Sequence, residues 1–107
     1  MKKIDIPQEA AKIKKPFTPR HLIDVDGYHV YLGLIQGEYS MHKHPHDEFF
    51  YVIEGEMEVE SKEDSVKLKK GEGLLVKNGI WHKSKSKKKA IVMMFEKVGL
   101  ETQLLSQ

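Results

Sequence analysis

The chain has 107 residues, enough for one domain and one core and too few for two. Eighteen basic and 16 acidic residues leave a net charge of +2, so no global field favours nucleic acid or a membrane surface, and the absence of cysteine excludes disulfides, thiolate metal sites and cysteine nucleophiles. No stretch reaches the ~18 consecutive apolar residues of a membrane span, and Met1-Lys2-Lys3-Ile4-Asp5 lacks the apolar core of a signal peptide, so a cytoplasmic protein is expected.

Residues 1–20 carry Pro7, Pro16 and Pro19 and read as an arm, with one or two helical turns over Gln8 to Lys15. From Tyr28 to Ile35 bulky residues occupy both alternating sets, which predicts a strand covered on both sides. Gly37 breaks this run, and Tyr39 to His42 reads as a short strand. Glu48 to Ile53 is apolar on both faces after its first residue and predicts a central strand. After the Glu54-Gly55 turn signal, Met57 and Val59 alternate with Glu56, Glu58 and Glu60, the pattern of a half-buried antiparallel strand. A polar turn over 62–65 returns the chain, so that Lys67 and Lys69 can face those glutamates. Leu74 to Val76 reads as a short buried strand, Asn78-Gly79 as a tight turn, Ile80 to Ser86 as extended, Lys87 to Lys89 as a charged turn and Ala90 to Glu96 as a last buried strand. Residues 98–107 read as a tail with a helical turn around Glu101 to Leu105. About seven or eight short strands with frequent polar turns predict an all-β sandwich or barrel over 21–97.

Three of the six histidines fall in His42-Lys43-His44-Pro45-His46-Asp47-Glu48. On a strand, His42 and His44 project from one face. Pro45 bends the chain, and Glu48 can return a carboxylate to the same space. Two imidazoles and a carboxylate suit Fe(II), Mn(II), Ni(II) or Zn(II). His82 is a distant fourth donor that a folded sheet could bring to the cluster. His21 and His29 lie outside this pattern and read as satisfied or surface residues, and Asp47 as solvated.

His42-x-His44-x3-Glu48-x6-Gly55 resembles the first motif of the cupin superfamily, G-x5-H-x-H-x3,4-E-x6-G, with Gly37 as its leading glycine at one residue less. Gly71, Gly79 and His82 match the second motif, G-x5-P-x-G-x2-H-x3-N, with Lys77 in place of the proline and Ser86 in place of the asparagine. The resemblance, closest to small single-domain conserved-barrel cupins, implies a jelly-roll β-barrel in which His42, His44, Glu48 and His82 hold one divalent transition metal. It also implies metal-dependent chemistry on a small molecule, of the dioxygenase or the isomerase and lyase type. The alternative is a non-catalytic sensor or carrier that binds a small ligand. His46 and Tyr31 are the candidates for a general base. By alternation Phe50, Val52, Ile80 and Ser84 should line the pocket, with Tyr51, Ile53 and Trp81 on the opposite face. A chain this short has little to cover that second face, so a homodimer or the N-terminal arm is expected to do so. The lysines from Lys83 to Lys89 alternate with serine rather than aromatic residues and read as a solvated face, not a nucleic-acid site.

Overall fold

The computed structural model describes residues 1–97 and the backbone of the strand Gln103–Leu104. A short helix, α1, spans Ile6–Ala11. Asp5 caps it, accepting the Gln8 N–H at 3.0 Å, and Pro7 lies in the first turn, where a missing N–H costs nothing. This cap starts the helix earlier than the predicted 8–15.

Among the described residues nine strands follow: β1 (Arg20–Val25), β2 (Tyr28–Glu38), β3 (His42–Lys43), β4 (Glu48–Glu54), β5 (Glu56–Ser61), β6 (Ser65–Lys69), β7 (Gly73–Val76), β8 (His82–Lys97) and β9 (Gln103–Leu104). All pair antiparallel. The order β1-β2-β8-β3-β9 runs through the sheet, while β4 joins β7 to β8 and β5 joins β6 to β8. The fold is an all-β jelly-roll barrel.

β8 is the shared strand, touching β2, β3, β4 and β5. The charged turn expected at Lys87 to Lys89 does not interrupt it. Against β2, Ile35 pairs with Ala90 and Gly37 with Ser86, so the three lysines are absorbed in a bulge. The Ser86 hydroxyl donates to the Glu56 carbonyl at 2.7 Å and fastens that bulge. Two further differences lie at the ends. β1 was not foreseen, and Gln103–Leu104 pairs with His42–Lys43 as a strand, where a helical turn was expected. The rest of that expected turn lies outside the described residues.

Alternation places Ile35, Phe50, Val52, Met57, Val59, Leu68, Val76, Ala90, Val92 and Met94 inside the barrel as one core. A second cluster, Leu22, Val30 and Leu32, lies on the outer face under Ile4, Ile6, Ala10 and Ile13 of the arm. The arm therefore covers part of the second apolar face. It leaves Phe49, Tyr51 and Leu75 at 37, 38 and 53% exposure, so β4 and β7 are not buried on both sides as their composition suggested.

The glutamates of β5 meet lysines on both edges: Glu56 and Glu58 oppose Lys69 and Lys67 on β6, and Glu58 and Glu60 oppose Lys85 and Lys83 on β8. Lys83 pairs with Glu38 and Lys85 with Glu60, each at 2.7 Å. Two lysines of the basic run are thus neutralised. At the β4–β5 corner Gly55 has φ +80°, and a Cβ there would fall 2.7 Å from the Lys89 carbonyl oxygen.

Candidate metal centre

β3 presents His42, the bend after it His44, the start of β4 Glu48 and the start of β8 His82. His42 and His82 are register partners across β3 and β8, with ring centroids 4.4 Å apart. One donor atom from each of the four residues lies within 4.8 Å of the others, and all four residues are buried.

Backbone carbonyls set the imidazoles. His42 Nδ1 donates to the Ser40 carbonyl and His82 Nδ1 to the Ile80 carbonyl, each at 2.8 Å. A carbonyl only accepts, so the proton is on Nδ1 and, in the neutral ring, Nε2 offers its lone pair. Burial, more than the neighbouring His82 and His44, holds the His42 pKa below its ordinary value and keeps that ring neutral.

Glu48 Oε1 lies 3.4 Å from His82 Nε2 and 3.5 Å from His44 Nε2, too far for good hydrogen bonds. Among the described residues, Glu48 Oε1 and His82 Nε2 are the buried side-chain polar atoms with no hydrogen-bond partner. Two buried acceptors face each other there, an arrangement that a cation between them would satisfy. The donor set fits a divalent transition metal, and three imidazoles with one carboxylate leave positions open on a six-coordinate ion.

Burial pushes the Glu48 carboxyl up, but His44, His82 and Glu96 more than reverse this and hold it well below the usual carboxylate range. Glu96, opposite Glu48 in the β4–β8 register, moves the other way. Burial, then the hydrogen bond and charge of Glu48, push it up to about 9. Glu96 therefore keeps its proton at neutral pH and donates it to Glu48. The sequence reading passed over Glu96. The available signal was its place in the inward set Ala90, Val92, Met94 and Glu96, where a charge ends an apolar stripe.

A profile of the Cupin_2 family, described as a cupin domain, matches residues 33–96. The chain belongs to the cupin family. It is 29% identical over 100 residues to the uncharacterized protein YdbB of Bacillus subtilis (strain 168), covering 92% of this chain and 88% of that one. Among solved structures it is similar to a cupin-2 domain containing protein from Shewanella frigidimarina, with TM-score 0.85, 25% identity, and 88% of this chain and 93% of that chain covered. It is also similar to protein NMB1881 from Neisseria meningitidis, with TM-score 0.83, 26% identity, and coverage of 90% and 99%.

In this cupin the motif's proline position is held differently. Asp47 accepts from the Asn78 N–H at 2.9 Å, from Asn78 Nδ2 at 3.1 Å and from Lys77 Nζ at 3.0 Å. The Gly79 N–H donates to the His44 carbonyl at 2.8 Å. Lys77 thus ties the turn before His82 to the bend after His44 through an ion pair. Asp47, expected to be merely solvated, joins the two halves of the site. Ser86, in the motif's asparagine position, serves the bulge.

The two candidate bases are outside the four-residue group. His46 lines a separate surface pocket with Tyr28, Asp47, Asn78 and Lys97. Tyr31 packs on the inner core, and burial, then Glu96 and Asp24, raise its pKa.

A cleft of about 420 Å³ between the β5–β6 hairpin, β7 and residues 77–82 reaches His82. Val59, Leu74, Ile80 and Trp81 supply apolar walls, with Ser61 and Lys62 among the polar lining. Trp81, expected on the opposite face, lines this cleft, and the ammonium groups of Lys43 and Lys62 lie 4.9 and 5.0 Å from its ring. Phe50 and Val52, expected in the lining, belong to the packed core, where the Phe50 ring stands 6.3 Å from His82.

Proposed function

We propose that this cupin is a metal-dependent enzyme of the dioxygenase or the isomerase and lyase type, acting on a small molecule held in the cleft beside His82. His42, His44, Glu48 and His82 hold one divalent ion, Fe, Mn, Ni or Zn. The observation that carries this reading is the buried pair Glu48 Oε1 and His82 Nε2, 3.4 Å apart and unpartnered. Such a metal supplies Lewis-acid polarisation of a substrate oxygen. The chain's own part is to keep the Nε2 lone pairs of His42 and His82 aimed inward, hold Glu48 anionic and seat the substrate against Trp81 and Ile80. The charges of the cleft lining balance, Lys62 and Lys77 against Glu63 and Asp64, so the preference for an anionic or carbonyl-bearing substrate rests on the metal that would polarise its oxygen.

Elemental analysis of protein purified without a histidine tag tests the centre. Close to one equivalent of a transition metal is expected, and its loss in His42→Ala. A substoichiometric content unchanged in that variant rejects the site. Oxygen uptake with candidate diketones or thiols then separates oxygenase chemistry from an isomerase, a lyase or a binding module.

The exposed Phe49, Tyr51 and Leu75 support a homodimer. Phe49 pairs with Leu75 across β4 and β7, so the three form one apolar patch beside the area that the arm covers.

A further inference from the structure

We infer that His21, Asp24 and His29 form a second transition-metal site, at the β1–β2 hairpin, for a borderline ion such as Zn(II), Cu(II) or Ni(II).

The backbone of β1 is built to bring these side chains together. In a regular strand His21 and Asp24, three residues apart, would point to opposite faces. The β1–β2 register breaks between His21 and Ile23: His21 opposes Tyr31, Ile23 opposes Val30, and Leu22 is the extra residue. This bulge turns Leu22 and Ile23 both into the outer apolar cluster and resets the phase, so Asp24 returns to the face of His21. On the partner strand Asp24 opposes His29, and His29 and Tyr31 share a face by alternation. The three donors converge above the Tyr31 ring, whose centroid is 5.5 Å from each imidazole.

The local geometry is close to that of a bound ion. One donor atom from each residue lies within 4.8 Å of the others. A single oxygen, Asp24 Oδ1, takes hydrogen bonds from His21 Nε2 at 2.7 Å and from His29 Nδ1. Metal bonds of about 2.0–2.2 Å set neighbouring donors roughly 3 to 3.5 Å apart, so each Asp24–histidine contact needs to open by no more than about 1 Å. Tautomerisation moves each displaced proton to the other ring nitrogen, and the ring nitrogen facing Asp24 becomes the ligand. The hydrogen bonds from His21, then His29, keep the Asp24 carboxyl below its ordinary range, so it is anionic and ready to bind. Two imidazoles and one carboxylate leave open positions for water, and the partial exposure of all three makes the ion exchangeable.

The test is zinc titration by calorimetry of the full chain, untagged and stripped with a chelator. Wild type is expected to take up two equivalents. The double variant Asp24→Ala/His29→Ala is expected to lose one and keep the other, whose retention reports a folded barrel. His82→Ala is expected to keep one equivalent, and adding Asp24→Ala/His29→Ala to it to abolish that. A double variant that still binds as many equivalents as wild type overturns the inference, as does a folded His82→Ala chain that binds no zinc. Magnesium, which prefers oxygen donors, is expected not to compete.

Discussion

Glu48 and Glu96 stand opposite each other on β4 and β8, and the protonated carboxyl of Glu96 donates to the carboxylate of Glu48. Between the ordinary carboxylate range and about 9, the folded chain keeps a proton on Glu96 that the unfolded chain releases. The metal-free protein therefore loses stability as pH rises through this window, and the loss levels off above it. Glu48 acts with the opposite sign: its depressed pKa contributes stability that is lost only as pH falls below the carboxylate range. Glu96→Gln cannot ionise and keeps a donor. Thermal melting of chelator-treated protein across this range is expected to show an alkaline decline in wild type that the variant lacks. Parallel profiles would contradict the assignment.

Asp47 connects two segments that carry candidate ligands. Asp47→Ala removes three hydrogen bonds to Lys77 and Asn78. Because the region is exposed, only a small stability loss is expected on chemical denaturation. Metal affinity is expected to fall by about 10-fold in a chelator competition, as happens when support to a ligand is removed.

Gly55→Ala is expected to cost about 1–3 kcal/mol, since the new Cβ meets a backbone oxygen at a positive φ. Equilibrium unfolding in urea measures it. A neutral outcome would mean that the β4–β5 corner has room to move away from Lys89.

The apolar patch on β4 and β7 predicts self-association. Sedimentation is expected to give twice the 12.4 kDa chain mass for wild type and a single chain for Phe49→Lys/Leu75→Asp. A monomeric wild type would leave the patch without this explanation.

The all-β class and the convergence of His42 and His44 were legible in sequence because they rest on local rules, whereas the jelly roll and the recruitment of His82 came from the resemblance of the two motifs to those of cupins. Alternation marks Met57 and Val59, and the i, i+2 spacing marks His42 and His44. The parts that stayed hidden depend on irregularity or long-range register. The bulge at Leu22 erased the alternation that would have announced β1, and with it the pairing of His21 with Asp24. The Lys87 to Lys89 bulge made one strand look like two. Glu96 gave no sign of its partner, since only the β4–β8 register sets it opposite Glu48. Trp81 was assigned to the wrong face because the stretch before His82 is a turn rather than a strand, so parity did not apply.

β8 carries His82 near its first turn of pleat and Glu96 near its last, with the strands bearing His42 and Glu48 on its flanks. Most of these contacts join residues far apart along the chain, so seating β8 is expected to set the pace of folding. The candidate ligands His42 and His82 are register partners across β3 and β8, so they come together only when β8 is paired. Metal supplied during refolding should therefore leave the rate of barrel closure nearly unchanged and slow its reopening instead.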